Sequence, residues 1–384
     1  MVKKRQLSPQ SVWDVDAVRL AFEAIGANPK HIPRLYNHMI RNPGGGWADL
    51  PDFPKAARAA LDAGFVLHTT RLLTVQRSSD GETTKLLVQL QDGLQVEAVV
   101  MQYDNTGGWV DGWVAAMEGG KRTTLCVSSE VGCAMGCTFC ATGTMGLSAD
   151  LTAGEIVEQL VHASSVSRIQ NIVFMGMGEP LNNYEAVRTA VRLMTDPSSF
   201  ALRRRKVTVS TVGVIPRMLQ MADDMPGVSL ALSLHAPTQE LRQTIYLERT
   251  GQRVFVEYVM LGPDINCTQA HAHQLGRLLQ GRNVLVNLIP WNPILSPSIT
   301  FAAPEEGATA AFHSILRYQY GVNCTIRAEK GQDISGACGQ LVLEHGGAAG
   351  GGGGACGSKS GGGLADLEDL LPPPRTQAAA VAAR

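Results

Sequence analysis

The sequence predicts an α/β fold, a partial, TIM-like (β/α) barrel preceded by a small N-terminal helical and β accessory domain. Three observations predict it. From Thr123 onward strand-like runs alternate with helical patterns, which implies a parallel sheet, and six or seven such units suffice for a full or partial barrel. With 45% apolar and 17% charged residues among 384, most of the chain can bury a core. The chemically suggestive residues follow strand runs, at the strand ends where such folds carry their function.

The elements follow in order. Between residues 10 and about 65, the sets Val15, Val18, Leu20, Ala21, Phe22, Ile25 and Ile32, Leu35, Tyr36, Met39, Ile40 have helical spacing. Leu86 to Leu90 and Val96 to Met101 read as strands around a Gln91-Asp92-Gly93 turn, hence a hairpin. Gly107 to Gly120 reads as a loop. The barrel strands are Thr124 to Val127, Asn171 to Phe174, Val207 to Ser210, Val228 to Leu234, Val254 to Met260, Val284 to Ile289 and Cys324 to Arg327. Thr152 with Glu155 signals a capping box ahead of Ile156, Val157, Leu160 and Val161. Asn183 to Met194, His271 to Leu279 and Ala308 to Tyr318 are further helical patterns.

The chain divides into a helical and β module over 1–105, a barrel core over 106–345 and, by composition, a low-complexity tail over 346–384, expected to be disordered. Of the 41 glycines, 11 fall between Gly346 and Gly363, a stretch of mostly Gly, Ala and Ser that cannot pack a core. Thirty-three Lys plus Arg against 34 Asp plus Glu give a net charge of -1, so no global basic field announces a nucleic acid. A local basic patch stays open, and Arg203 to Lys206 is the densest basic run, as fit for a solvated face as for phosphate contact. No apolar run reaches about 18 residues, which argues against a membrane span, and no clear targeting segment follows the basic N-terminus.

Eight cysteines without a signal peptide point to metal or catalytic use in a reducing compartment. Cys133, Cys137 and Cys140 form Cys-x3-Cys-x2-Cys. Three soft thiolates on one loop suit an iron-sulfur cluster, whereas a closed zinc site would need a fourth ligand, from Cys126 or a distant His. Three ligands leave one iron of a [4Fe-4S] cluster open to chelate S-adenosyl-L-methionine. Gly132 and Gly136 let the loop wrap closely, and Phe139 can shield the cluster.

This spacing resembles the radical S-adenosylmethionine superfamily. The stretches Thr124 to Cys133, Gly176 to Asn183, Ser233 to Pro237, Asn287 to Pro293 and Gly331 to Leu341 together closely resemble the RNA adenine C2-methyltransferases of the RlmN type, over about residues 12 to 345 and nearest to plant-type members. The resemblance implies a radical S-adenosylmethionine barrel that uses a [4Fe-4S] cluster and two S-adenosyl-L-methionine molecules per turnover. Cys338 would carry the methyl group, and a radical made from the second cofactor molecule would take hydrogen from it. The methylene radical would add to carbon 2 of adenine, an electrophilic carbon that a methyl-cation donor cannot use. Cys126 would resolve the adduct through a transient disulfide with Cys338, and Glu97 would accept the proton. Gly178 and Glu179 would bind the cofactor's amino group, with Ser210, Ser233, Leu234, His235 and Asn292 completing its ribose, carboxylate and adenine contacts.

The implied partners are ribosomal RNA, transfer RNA and an electron donor such as flavodoxin or ferredoxin, for a monomer in the cytoplasm or an organelle. Arg327 and Lys330, leading into the Cys338 loop, suit phosphate contacts. One departure from the family pattern is the 17-residue stretch Pro237 to Arg253, with a single helical pattern from Thr238 to Arg249, where a longer segment is usual. Two rivals to carbon 2 methylation stay open: a carbon 8 methyltransferase of the Cfr type, which uses the same cysteine chemistry, and a cluster-bearing RNA-binding protein that the short crossover has made inactive.

Overall fold

The structure is a computed structural model and describes residues 5, 7–103, 122–235, 253–291, 301–327, 332–334 and 342. The loop read at 107–120, the helical pattern at 238–249, Asn292, Lys330, Cys338 and the Gly-rich tail lie outside the described residues.

Apolar periodicity becomes packing at once in the N-terminal part. After the short strand β1 (Gln10–Ser11), α1 (Val15–Ala24) is capped by Asp14, whose carboxylate accepts the Ala17 N–H at 3.1 Å, and it buries Val15, Val18 and Phe22. Helix α2 (His31–Arg41) buries Ile32, Leu35, Tyr36 and Met39, and α3 (Lys55–Gly64) buries Ala57 and Leu61. The chain then enters β2 (Phe65–Val66), which pairs parallel to β1.

A single ten-stranded sheet follows. The strands β3 (Arg71–Arg77), β4 (Thr83–Gln89) and β5 (Gln95–Tyr103) form an antiparallel meander, and β5 pairs antiparallel with β6 (Arg122–Cys126). The hairpin read around Gln91 to Gly93 is β4–β5; the edge strand β3 gave no recognised pattern. Beyond β6 a small hairpin, β7 (Glu130–Gly132) and β8 (Leu147–Asp150), flanks the cysteine loop. Then α4 (Ala153–Ser164), β9 (Asn171–Phe174), α5 (Tyr184–Thr195), β10 (Val207–Thr211), α6 (Ile215–Asp224) and β11 (Ser229–Ser233) alternate. They continue as β12 (Val254–Met260), α7 (Gln269–Leu279), β13 (Val284–Pro290), α8 (Ala308–Ser314) and β14 (Cys324–Ile326).

From β6 through β9 to β14 every neighbouring pair is parallel. The sheet runs unbroken past the short 237–253 link, because β11 and β12 pair from Ala231 opposite Phe255 to Ser233 opposite Glu257. Past β14 the chain reaches back to the meander: Arg327 Nη2 lies 3.5 Å from Met101 Sδ, the Ser79 N–H donates to Asp333 at 2.6 Å, and the Val342 N–H donates to Glu97 Oε1 at 2.8 Å. These contacts tie the far edge of the parallel array to its antiparallel start.

One cluster of buried apolar side chains extends from Val12, Phe22 and Leu61 to Ile172, Val256 and Val286. Two polar struts pin α4 in place. Thr152 and Glu155 make the expected capping box, and Glu155 also takes a two-pronged ion pair from Arg5 at 2.8 Å. Buried Glu158 accepts from Ser11 Oγ and from both the backbone and the hydroxyls of Thr69 and Thr70. With five donors on two oxygens it is a structural anchor, although His68 and His162 stand beside it.

Candidate active site

A cavity of about 320 Å³ opens where the parallel strands end. Cys133, Cys137 and Cys140 line it from the loop between β7 and β8, and each is half-buried. The hairpin sets the loop's entry: Cys133 N–H donates to Gly146 O at 3.0 Å, and a Cβ on Gly132 would come within 1.7 Å of that oxygen. Only glycine allows this closure. Burial pushes the Cys133 thiol up to about 12, helped by the charges of Glu130 and the neighbouring cysteines and opposed by the Met135 N–H on its sulfur. Burial likewise raises Cys137. Thiols held neutral in this way are ionised by an iron centre that binds them. Three soft donors on one cavity, with Phe139 beside them, therefore fit an iron-sulfur cluster better than a hard cation.

The next strand ends supply a polar shelf. Gly178, at φ +102°, lies so close to Glu130 that a Cβ would meet its Cβ at 2.6 Å. Glu179 is buried and accepts the Leu181 N–H at 3.0 Å and the Val212 N–H at 2.9 Å; burial still raises its carboxyl above the ordinary range. Beneath it, Glu130 accepts the Glu179 N–H at 2.9 Å, while its other oxygen is buried and unpartnered. Burial raises Glu130 to about 7 despite that hydrogen bond. Ser210 Oγ lies 3.2 Å from Ser233 Oγ, both on the cavity wall.

His235 closes the shelf. Its Nδ1 accepts the Val259 N–H at 3.1 Å, so in the neutral ring the proton sits on Nε2. Burial lowers its pKa to about 4, which keeps the ring neutral, and it meets Phe139 edge-on at 4.8 Å. Leu234 does not line the cavity; its N–H donates to Glu257 O at 3.0 Å and so fixes the end of β11 against β12.

The opposite wall is the meander. Val99, Met101 and Tyr103 of β5 line the cavity, and Glu97 lies two residues earlier, 1% exposed and 3.5 Å from the fully buried Lys85. Cys126 stands opposite Val99 in the pairing of β5 and β6 and packs with Val99 and Met101. Charged residues on strands are usually solvated, and only the register of β4 against β5 reveals this buried pair.

The structure adds residues that the sequence reading did not select: Glu130, Met175, Glu257 and Trp291. Trp291 donates its indole N–H to Phe139 O at 3.0 Å, tying β13 to the cysteine loop. Arg327, read as a phosphate contact, lines the cavity; burial raises the Glu257 carboxyl above its ordinary range, and the Arg327 charge opposes that rise. The basic run Arg203 to Lys206 precedes β10, at the strand end opposite the cavity, and is exposed there. It does not line this cavity.

A parallel barrel whose cavity holds three thiols on a loop after its first parallel strand, facing a Gly-Glu-Pro turn, defines a radical S-adenosylmethionine enzyme. Residues 127–261 match the Radical SAM superfamily. The chain is 40% identical to "Ribosomal RNA large subunit methyltransferase N" of Nitrosopumilus maritimus, over 76% of this chain and 86% of that protein. It is 38% identical to "Probable dual-specificity RNA methyltransferase RlmN" of Moorella thermoacetica, over 88% of this chain and 96% of that one. A crystal structure of a radical SAM methyltransferase from Sphaerobacter thermophilus superposes with a TM-score of 0.73 at 35% identity, covering 86% of this chain and 99% of that one. The chain belongs to the RlmN family of radical S-adenosylmethionine RNA methyltransferases, and its cofactors are a [4Fe-4S] cluster and S-adenosylmethionine.

Proposed function

We propose that this enzyme methylates carbon 2 of adenosine in RNA, with 23S-type ribosomal RNA and transfer RNA as substrates, through a methyl group carried on Cys338. One observation carries the reading: the three-thiol loop, the Gly178–Glu179 turn and the wall that bears Glu97 and Cys126 all meet at one cavity. When bound, the cluster and S-adenosylmethionine supply a 5'-deoxyadenosyl radical. Cys133, Cys137 and Cys140 hold the cluster. Gly178 offers close backbone approach and Glu179 a carboxylate for the cofactor's ammonium, while Ser210, Ser233, His235 and Asn292 orient the rest of it.

Cys338 lies outside the described residues, but Val342, four residues on, donates its N–H to Glu97. That tether supports a thiol loop beside Glu97, where the carboxylate can take the proton released at the adenine carbon. Cys126 lies next to the cavity-lining Val99 and Met101, a position suited to a thiol that resolves the adduct. Residues 1–105 serve as the accessory RNA-holding domain, 106–345 as the barrel core and 346–384 as a tail. A one-electron donor of the flavodoxin or ferredoxin class reduces the cluster, and the enzyme acts as a monomer. No helix among the described residues is long and apolar enough to cross a membrane.

The test is anaerobic incubation with S-adenosylmethionine, reductant and unmodified ribosomal or transfer RNA, followed by mass spectrometry of the nucleosides. Carbon 2 methyladenosine is expected, and Cys338→Ala should abolish it. Carbon 8 methyladenosine would assign the other position, and methylation by Cys338→Ala would overturn the carrier role.

A further inference from the structure

The segments that feed the parallel strands gather positive charge at the end of the barrel away from the cavity. Parallel strands start at one edge, so Arg122 at the start of β6, Arg168 before β9, Arg203 to Lys206 before β10, Arg253 before β12 and Arg282 before β13 share that rim. Against these eight cations stand three acids, Asp196 after α5 and Asp223 and Asp224 at the end of α6, in a chain whose net charge is -1. Asp224 is already engaged by Tyr184, Gln220 and Arg188. Arg168, Arg203, Arg204, Arg205, Lys206 and Arg253 are exposed and make no ion pair with a described residue. The basic run is nonetheless held in place. Arg204 Nη1 donates to Pro226 O at 3.1 Å, Ser229 Oγ donates to Arg205 O at 3.4 Å, and Arg253 Nε donates to Asn283 Oδ1 at 3.3 Å.

Clustered like charges repel one another, and an anionic partner relieves that repulsion. Neighbouring strands are about 4.8 Å apart, so the five steps from β6 to β13 spread these cations over about 24 Å along the sheet. That spread suits a polymer with a charge at every repeat better than one small anion. RNA is the polyanion on which this family acts. The cavity end offers it little charge, because Arg327 is the one cation in the described loops that follow the parallel strands. An acidic electron donor suits the rim less well, since the cysteine loop lies a full strand length away at the opposite strand ends.

We propose that this rim, centred on Arg203 to Lys206, is a second RNA-binding face, which grips phosphates of a folded RNA far from the adenosine in the cavity. This rests on reading the substrate as a large RNA. The experiment measures binding of the anaerobic, cluster-loaded enzyme to unmodified 23S-type ribosomal RNA and to a short hairpin bearing the target adenosine, across a salt series. Arg203→Gln/Arg205→Gln/Lys206→Gln should bind the long RNA at least about tenfold more weakly, with the slope of log affinity against log salt flattened by about 2, the share of three phosphate contacts. Its binding to the hairpin, too short to reach both the cavity and the rim, should be unchanged. Arg168→Gln/Arg253→Gln, on two other segments, should show the same pattern with a smaller loss, which supports the proposal even if the triple variant fails to fold. Arg188→Gln/Arg192→Gln/Arg217→Gln removes as much charge from α5 and α6, where each cation is paired with an acid, and should keep most of the affinity. Wild-type binding of the long RNA by both rim variants overturns the proposal, and so does an equal loss for the hairpin or for the helix variant. A rim variant that binds RNA normally but is reduced more slowly by flavodoxin also overturns it, and gives the face to the electron donor. Wild-type enzyme that binds neither RNA overturns the RNA reading itself, and the role of the rim with it.

Discussion

Glu97 and Lys85 are the most consequential pair at the scale of single residues. Each is buried, at 1% and 0% exposure, and they are 3.5 Å apart. A buried pair gives little net stability against apolar replacements, but removing one partner leaves a charge without its counterpart, at a cost of about 3–5 kcal/mol. Lys85→Met is therefore expected to destabilise the fold by that amount, and the double variant Lys85→Met/Glu97→Leu to recover most of it. A urea-unfolding double-mutant cycle checks this, and a coupling below about 1 kcal/mol would show that the pair does not act as a unit. The three thiols were legible in the sequence because spacing within one loop encodes their proximity, whereas Gly178 and Glu179 were reached through the resemblance of the stretch Gly176 to Asn183. Glu130 and Glu257 were not, since a lone acid in or beside a strand run carries no sign of burial, and only pairing across strands places Glu257 beside Ser233 and Asn287.

Local signals marked most elements well. The capping box at Thr152 and Glu155, the apolar runs of β9 to β14 and the hairpin of β4 and β5 all form where the pattern places them. Strand β3 escaped because its residues alternate between exposed and half-buried, with Arg71 and Arg77 at its ends, so it carries none of the apolar density that marks an interior strand. The β7–β8 hairpin escaped because it is too short to show a period, yet it fixes the entry and exit of the cysteine loop. Its neighbour α4 depends on an anchor that no local pattern reveals. Glu158 collects donors from Ser11, Thr69 and Thr70, residues about ninety and more positions earlier. Glu158→Ala leaves four donors of Thr69 and Thr70 without that acceptor, each worth about 1–3 kcal/mol if it stays dry. The expected loss is about 3–5 kcal/mol with faster amide hydrogen exchange at Thr69 and Thr70, and unchanged exchange there would rule the anchor out.

At the scale of the molecule, the question is which part of the C-terminal chain the fold needs. Composition alone separates the Gly-rich tail, because Gly, Ala and Ser bury too little to offset the entropy of ordering them. It cannot show that the stretch just before the tail joins β14 to the antiparallel meander. Three long-range contacts do this, from Arg327 to Met101, Asp333 to the Ser79 N–H and the Val342 N–H to Glu97. Residues 1–346 form one compact unit that contains all three. A chain ending at Gly346 is therefore expected to match the full-length unfolding midpoint to within about 0.5 kcal/mol, the usual range for changes remote from packed structure. A chain ending at Arg327 keeps every strand of the sheet but loses the Asp333 contact to the Ser79 N–H and the Val342 N–H contact to Glu97. Hydrogen bonds to charged groups are worth about 1.5–3 kcal/mol each, so this shorter chain should unfold at clearly lower urea, by at least the amount of one such bond. If both truncations unfold together at the full-length midpoint, the returning segment does not stabilise the barrel. If both fall together, the tail contributes stability that its composition does not predict.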